Sequence, residues 1–571
     1  MNEPGVPNNF ITDAIRRDNE AGTYGGRVQT RFPPEPNGFL HVGHAKAIVV
    51  DFGTAEDFGG TCMLRLDDTN PETEEEAFVN SIIEDIEWLG YEPSEVRHAS
   101  DYFETLYDWA VQLITKGLAY VDDQDGETIS ATRGSFNTPG IESPFRTRSV
   151  AENLALFERM RTGEFPDGSR VLRAKIDMAP ENMQLRDPVM YRIRNVAHHR
   201  TGDAWSIYPT YDWAHGQSDA IEGVTHSICT LEFESHRPLY DWFLEQLEVP
   251  TPPRQYEFAR LELTHTVTSK RRLAKLVADG VVDGWDDPRM TTVAGLRRRG
   301  FPPAAIRLFC ERAGISKASQ LIEMAVLEQT VREVLDPEVD RLHVITDPIR
   351  LVIENMDPAE RIICEAPRHP HHPERGVRRF ELSRELWIER EDFAENPPKG
   401  FFRMTPGQMV RLRHGFVVRC TGVDRDANGE ILQVRCEYLP DTRSGTPGAD
   451  SVKVKGNIHW VSASDAVPVE LRIFAPLFLS IPGSATCPVL VIVGLFMLSP
   501  IRDIDLDDYS ESLPAFICLV LMPLTYSISD GILIGIISYV VLNLLGGKRR
   551  KLTPTMYVLA VLFILKYVFI G

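Results

Sequence analysis

No two of the eight cysteines in this 571-residue chain stand in a CxxC pair. Cys62, Cys229, Cys310, Cys364, Cys420, Cys436, Cys487 and Cys518 are scattered, which argues against a zinc ribbon or a disulfide framework and fits reduced thiols in cytosol. The first residues, "MNEPGVPNNF", lack an apolar signal core, so the front of the chain is expected to be cytoplasmic. Positive charge is in short supply: 61 Lys and Arg face 82 Asp and Glu, a net charge of −21. Such a field repels phosphate, so nucleic acid would have to be held by local basic patches. No internal repeat is present. No long apolar run occurs before about Ala475, and beyond it acids and bases balance, so the whole net charge sits ahead of that point.

What is present is ordinary globular composition, 43% hydrophobic and 25% charged, with length enough for several domains. "GGRVQTRF" reads as a strand and "PPEPNGFLHVGH" as a loop. Ala45, Ile48, Val49, Phe52 and Ala55 then recur at helical spacing. "TCMLRL" reads as a second strand, followed by a helix with Phe78, Ile82, Ile83, Ile86 and Leu89 on one face. Strand and helix alternate, which predicts a parallel α/β sheet with its ligand at the carboxyl ends of the strands. Residues 101–210 are mixed and turn-rich, and "YPTYDWAHGQSDAIEGVTHSICTLEF" returns to strand and helix. Roughly 261–335 is helical. From about Asp340 to Arg472 short alternating strands separated by turns such as "DANGE" predict a β-barrel.

Two short motifs carry chemistry. In "PNGFLHVGH", His41 and His44 are three residues apart at a helix start, able to face one ligand and donate to phosphate oxygens. Backbone N–H groups and the helix dipole favour phosphate there, and Gly43 permits close approach. The pair reads equally well as two satisfied surface histidines. In "VTSKRRL", Lys270 is placed to neutralise a pyrophosphate leaving group, or is one cation of a solvated basic loop.

Together they are more specific. "HVGH" resembles the HIGH signature and "VTSKR" the KMSKS signature of class I aminoacyl-tRNA synthetases. "RFPPEPNGFLHVGHAKA", "LRLDDTNPETE", "YPTYDWAHGQSDAIEGVTHS", "QYEFARLEL" and "DDPRMTTVAGLRRRG" resemble the glutaminyl branch from about Asn9 to Arg472. The nearest rival is the glutamyl branch of archaeal and eukaryotic type. A non-catalytic, membrane-associated chimera is the alternative of a different class.

The resemblance implies ATP-dependent activation of glutamine and its transfer to tRNA(Gln), with Mg²⁺ on the phosphates and no metal held by the protein itself. It implies a monomer. The catalytic residues would be His41, His44 and Lys270. ATP would be bound by Glu35, Pro36, Asn37, His41, Val42, Gly43, His44, Ala45, Lys46, Ala47, Thr230, Arg260, Leu261, Thr268, Ser269 and Lys270. Glutamine would be held by Asp67 and Tyr211, and tRNA contacted by Lys317, Arg341, Arg403, Arg411 and Arg413. Thr268 stands where the family has methionine. The implied architecture is a Rossmann-type α/β catalytic domain in two halves (1–100 and 211–260) around an acceptor-end-binding domain (101–210). A helical subdomain (261–338) and a truncated β-barrel anticodon-binding module (339–473) follow.

Residues 474–571 change character. They resemble the end of an adenine/guanine/hypoxanthine permease of the xanthine–uracil superfamily, and Leu513–Leu545 has Asp530 as its only charged residue. The expectation is a transmembrane helical segment and a possible membrane anchor, without transport, because one of the two repeats that build a permease site is missing. The seam is expected to leave unpaired strand edges on the barrel.

Overall fold

The structure is a computed structural model. It describes residues 7–71, 76–264, 266–267 and 269–472. Within 508–560 it describes 508, 510, 512–514, 516–517, 528–548, 552–553, 556–557 and 559–560. It divides into two units, Met1–Leu477 and Phe478–Gly571.

The first unit opens with α1 (Phe10–Ala21), whose start is capped by the Asn9 side chain accepting from the Ile11 and Thr12 N–H groups. Then come β1 (Gln29–Phe32), α2 (Val42–Asp57), β2 (Thr61–Leu66), α3 (Glu76–Trp88) and β3 (Val96–His98). The three strands pair in parallel. Ala45, Ile48, Val49, Phe52 and Ala55 of α2 are all buried in the core this sheet shares with Ile82, Ile86 and Leu89. Each large aliphatic side chain buried there contributes ~1.5–3 kcal/mol. The turn into β2 requires glycine at 60: a Cβ there would lie 2.0 Å from the Val28 carbonyl oxygen.

The chain then leaves the sheet. α4 (Phe103–Thr115), β4 (Ala119–Asp122), α5 (Gly126–Thr132), α6 (Val150–Arg161), β5 (Val171–Ala174), β6 (Val189–Ile193) and β7 (Ile207–Pro209) follow, with the strands forming a four-stranded antiparallel sheet in chain order. It shares one core with α7 (Tyr211–Glu222) and α8 (Arg237–Gln246), through Phe103, Phe157 and Tyr191 against Trp213, Leu239 and Phe243. β8 (His226–Thr230) and β9 (Arg254–Phe258) pair in parallel. The Thr225 N–H donates to Gln29 O at 2.9 Å, which lays β8 beside β1. The carboxyl ends of β1 and β8 are therefore neighbours, the point in an open α/β sheet where ligands bind.

β10 (Leu261–Leu263), α9 (Lys270–Ala278), α10 (Val293–Arg298), α11 (Pro303–Ala313), β11 (Gln320–Ile322) and α12 (Met324–Glu338) complete this body. Nine further strands follow: β12 (Pro348–Ile353), β13 (Ile362–Pro367), β14 (Val377–Leu382), β15 (Glu385–Glu389), β16 (Met409–Leu412), β17 (Val417–Arg425), β18 (Ile431–Tyr438), β19 (Asn457–Ile458) and β20 (Val461–Ser462). Seven of them form one sheet in the order β19-β16-β17-β18-β12-β15-β20, and β13 and β14 form a hairpin. The two edge strands are joined in sequence through His459 and Trp460 alone, so the sheet curls until its edges meet. Trp460 is fully buried in the core this creates. Among the described residues the end strands β19 and β20 each pair on one side only, with β16 and β15, and the seam beyond Arg472 lies outside the described residues. Beyond β20, Val467, Val469 and Leu471 are exposed.

In the second unit the helix Ile528–Leu545 is tied to Ser510 O by the Asn543 side-chain amide, and Lys548 pairs with Asp508 at 2.6 Å. Among the described residues no helix is long and apolar enough to cross a membrane. The expected transmembrane segment therefore has no support in the structure. Most of the permease-like stretch, 473–507 included, lies outside the described residues.

Candidate nucleotide and amino-acid site

The loop between β1 and α2 ends in a capping arrangement built from its own histidines. The Gly43 N–H donates to His41 Nδ1 at 3.0 Å, and the His41 N–H donates to His44 Nδ1 at 3.1 Å. The rings stack with centroids 3.9 Å apart. With both Nδ1 atoms accepting, each imidazole carries its proton on Nε2. Burial, then the charges of Lys270 and Arg260, bring the His41 pKa down to about 4. Burial, His41 and Lys270 hold His44 well below the usual histidine value. Both rings are neutral donors at pH 7.

This corrects one expectation. The first amides of α2 are not free to cradle phosphate: Val42 N–H goes to Thr291 O, Gly43 N–H to His41 Nδ1 and His44 N–H to His41 O. The histidine cap uses the amides up and leaves two Nε2–H groups in their place. Gly43 is required by the same geometry, since a Cβ there would lie 2.8 Å from His41 Cε1.

Lys270, the first residue of α9, reaches back to this loop. Its ammonium donates to Glu35 O at 3.0 Å and to Asn37 Oδ1. Burial lowers its pKa, against the opposing charge of Glu35. Ser269 caps α9 with its carbonyl, which accepts from the Arg272 and Leu273 N–H groups. Thr268 lies outside the described residues. The loop is braced from the other side. Trp285 stacks on Phe39 with centroids 5.6 Å apart, and the Val293 N–H donates to Leu40 O.

The remaining nucleotide candidates divide. Thr230 ends β8, its hydroxyl donating to Glu232, and Arg260 pairs with Glu232 as well. Pro36, Val42, Ala45 and Leu261 are buried and support the wall. Lys46 does not face the nucleotide side: its ammonium is buried against Phe258 and donates to Ala259 O at 3.0 Å. Its position one helical residue past Ala45 turns it into the α2 packing face. Ala47 packs there too.

Asp67 follows β2. Its N–H donates to Pro34 O, and its carboxylate accepts from the Thr69 hydroxyl at 2.9 Å. Burial pushes its pKa up to about 6, against the Thr69 hydrogen bond and Arg65. Tyr211, at the start of α7, stacks on His215 at 4.8 Å and lies against Phe233 at 4.9 Å. Burial raises its hydroxyl pKa strongly, with Cys229 and Asp67 among the lesser causes.

Beneath these lies a buried ionic network that the sequence reading missed. Asp219 accepts from Arg31 Nε at 3.0 Å, from Arg65 at 2.7 Å, from the Ser227 hydroxyl at 2.7 Å and from Tyr240 at 3.0 Å. Arg65 also reaches Glu222 at 2.5 Å, and His215 sits against both guanidiniums. The His215/Asp219 spacing in "YDWAHGQSDAIEG" places both on one helix face and is the only local trace of it. A second buried knot joins the inserted domain to the end of β2. The Asp68 carboxylate accepts from the Ser100 N–H and hydroxyl at 2.7 and 2.5 Å, and Asp68 O accepts from His198 Nε2 at 2.8 Å. Asp68, His198 and His199 have ligand atoms close enough for a metal ion. His198 Nδ1, however, accepts the Arg200 and Thr201 N–H groups, so both its nitrogens are committed.

The arginines assigned to tRNA also divide. Arg341 is tied to Asp336, Arg403 to Asp392, and Arg411 to Thr442 O and Ala449 O. Lys317 pairs with Glu234 at 3.1 Å. Arg413 is exposed, and among the described residues it has no ion pair.

Two family descriptions match the chain: "tRNA synthetases class I (E and Q), catalytic domain" over residues 27–337 and the corresponding "anti-codon binding domain" over 339–439. A glutamine–tRNA ligase of Ralstonia nicotianae is 56% identical over 490 residues, covering 82% of this chain and 84% of that one. The same-named enzyme of Cupriavidus metallidurans is 55% identical over 500 residues, covering 84% and 86%. That of Bordetella pertussis is 53% identical over 506 residues, covering 83% and 86%.

Proposed function

The chain belongs to the class I tRNA synthetases of the E and Q type, and from that premise we propose the reaction it carries out. It is a glutamine–tRNA ligase, joining glutamine to tRNA in two steps through glutaminyl-adenylate. The substrates are ATP with its Mg²⁺, glutamine and tRNA(Gln).

The observation that carries the site assignment is the union of Lys270 with the Glu35–Asn37 loop, immediately ahead of the two histidines. No side chain is needed as nucleophile. The glutamine carboxylate attacks the α-phosphate and pyrophosphate leaves. The terminal ribose hydroxyl of tRNA then attacks the adenylate carbonyl and AMP leaves. The protein's part is position and charge. The His41 and His44 Nε2–H groups, neutral at working pH, donate to phosphate oxygens without a proton to lose. The Lys270 ammonium exchanges its contacts with Glu35 and Asn37 for the departing pyrophosphate. Asp67 pairs with the substrate ammonium, and Tyr211 walls the amino-acid pocket. Thr230 and Arg260, at the mouth of β8 and β10, face the nucleoside.

For tRNA, the inserted domain offers Phe136, an aromatic ring 79% exposed on the tight bridge between Ser135 and Thr138. Exposed aromatic rings stack on unpaired bases. The test is direct: the detergent-solubilised full chain, given labelled glutamine, ATP and tRNA(Gln), should form glutaminyl-tRNA. Loading of glutamate instead would transfer the assignment to the glutamyl branch.

A further inference from the structure

We propose that Cys420 and Cys436 form a reversible thiol-oxidation site, which closes to a cross-strand disulfide when the chain meets a peroxide. The inference goes beyond the ligase reading and does not depend on it. The two residues are direct partners in the antiparallel pairing of β17 with β18. The backbone bonds show which kind of partner. The Cys420 N–H donates to Gln408 O at 3.0 Å, and its carbonyl accepts from the Gly407 N–H at 2.9 Å. The Cys436 carbonyl accepts from the Glu354 N–H at 2.8 Å, on the side of β12. Each backbone turns its polar groups away from the other, so the pair is of the non-hydrogen-bonded type. In such a pair the Cα atoms stand about 4.5 Å apart and both side chains project from the same face. A disulfide bridges Cα atoms roughly 4.4–6.8 Å apart. Among the described residues no other cysteine faces a cysteine across a strand pair: Cys62 faces Thr30, Cys229 faces Glu257 and Cys364 faces Phe380.

Access and reactivity follow from the neighbours. Both sulfurs lie in the barrel core. A β-bulge falls directly after Cys420: the ladder resumes with Gly422 opposite Arg435, which leaves Thr421 without a partner. A bulge interrupts pairing locally, and here it is the weak point through which a small oxidant reaches the thiols. Burial raises the pKa of both. At Cys436, Cys420 and Glu354 raise it further, whereas at Cys420 the Gly422 hydrogen bond and then the Arg435 guanidinium oppose the rise. The thiolate is the reactive form, so Cys420 reacts first. Its sulfur attacks one oxygen of hydrogen peroxide, the O–O bond breaks, and the released hydroxide takes the thiol proton to leave as water. The Cys436 sulfur then attacks the sulfenic acid at Cys420. The S–S bond forms, the S–O bond breaks, and the second water carries off the Cys436 proton. Two thiols give up two protons and two electrons, and one peroxide becomes two waters.

The test uses the detergent-solubilised, unmodified full chain, so no variant has to fold. The reduced chain is treated with hydrogen peroxide under native conditions, its remaining thiols are alkylated in denaturant, and trypsin is added. Cleavage after Arg419, Arg425, Arg435 and Arg443 places the two cysteines on separate peptides, 420–425 and 436–443. The expected product is these two peptides joined, two hydrogens lighter than their sum, and separated again when the native oxidised chain is treated with dithiothreitol before alkylation. Four results would overturn the proposal: both peptides recovered fully alkylated, sulfinic acids without a link, a link from either cysteine to Cys364 in its place, or a link that forms only in denaturant. The readout is a peptide mass, so it stands apart from any failure of the chain to charge tRNA(Gln), which would bear on the ligase reading alone.

Discussion

Lys270 and Asn37, 233 residues apart in the chain, are joined directly: the lysine ammonium donates to the asparagine side-chain carbonyl. That bond draws the start of α9 onto the loop that ends in His41 and His44. Tertiary folding therefore joins the two sequence-distant pieces proposed to grip a triphosphate.

Removal of one preorganised donor from such a site costs ~2.7–4 kcal/mol of transition-state stabilisation. His44→Ala and Lys270→Ala should each slow glutamine-dependent pyrophosphate exchange by roughly 10²–10³-fold. Melting temperatures should stay close to that of the parent chain. A rate equal to the parent's in either variant removes that residue from the site.

The acidity of Asp67 sets a pH dependence. Its folded pKa, about 6, lies above the ordinary carboxylate value because burial disfavours the charge. Below that pH the free protein carries a neutral carboxyl that cannot pair with an ammonium. The KM for glutamine should therefore rise as pH falls through about 6. In Asp67→Asn it should be high at every pH, without that step. A KM for glutamine that is flat from pH 5 to 8 in the parent chain would contradict the role given to Asp67.

Gly43→Ala tests the histidine cap. The added carbon would meet His41 Cε1 at 2.8 Å, inside any ordinary contact, so the ring must turn away. Activation of glutamine should fall while far-UV circular dichroism is retained. The His41 ring signals should shift in an NMR spectrum of the variant.

Asp68 and His198 lock the inserted domain against the residue that follows Asp67. They are expected to act through Asp67, as positioning residues. His198→Ala should raise the KM for glutamine and leave the KM for ATP near its parent value. His198→Gln, which keeps a side-chain N–H donor, should restore most of the difference. Equal changes in both KM values, or no rescue, would reduce the knot to general stability.

The Arg31–Asp219 pair is fully buried. Arg31→Met leaves the Asp219 carboxylate underpaired in the interior. Breaking a buried pair by removing one partner costs about 3–5 kcal/mol. A chemical-denaturation midpoint within error of the parent's would contradict that accounting.

The local pattern carried the frame well. α2 and β2 follow from period 3.6 and a continuous apolar run, and the barrel strands from alternation broken by "DANGE". What was not legible depends on distance along the chain. Arg31 and Asp219 are 188 residues apart, and nothing in either neighbourhood announces the other. The split of one segment into two short strands around His459 and Trp460, one at each end of the sheet, was hidden too, because a two-residue strand has no period to read. The family motif placed Lys46 by position, but helix geometry turned it into the core. Arg341, Arg403 and Arg411 carry the right charge and are engaged by internal acceptors, pairings that composition cannot reveal. The tail's apolar run read as a membrane span, and among the described residues no helix meets that length and apolarity.

The central claim is that imidazole and ammonium act on one triphosphate together. A double-mutant cycle of His44→Ala and Lys270→Ala on the rate of glutamine-dependent pyrophosphate release tests it most directly. Groups that share a ligand couple by about 0.5–3 kcal/mol. The account expects the double variant to lose clearly less than the summed effects of the two single variants. Strict additivity, each substitution acting as though the other were absent, would contradict it.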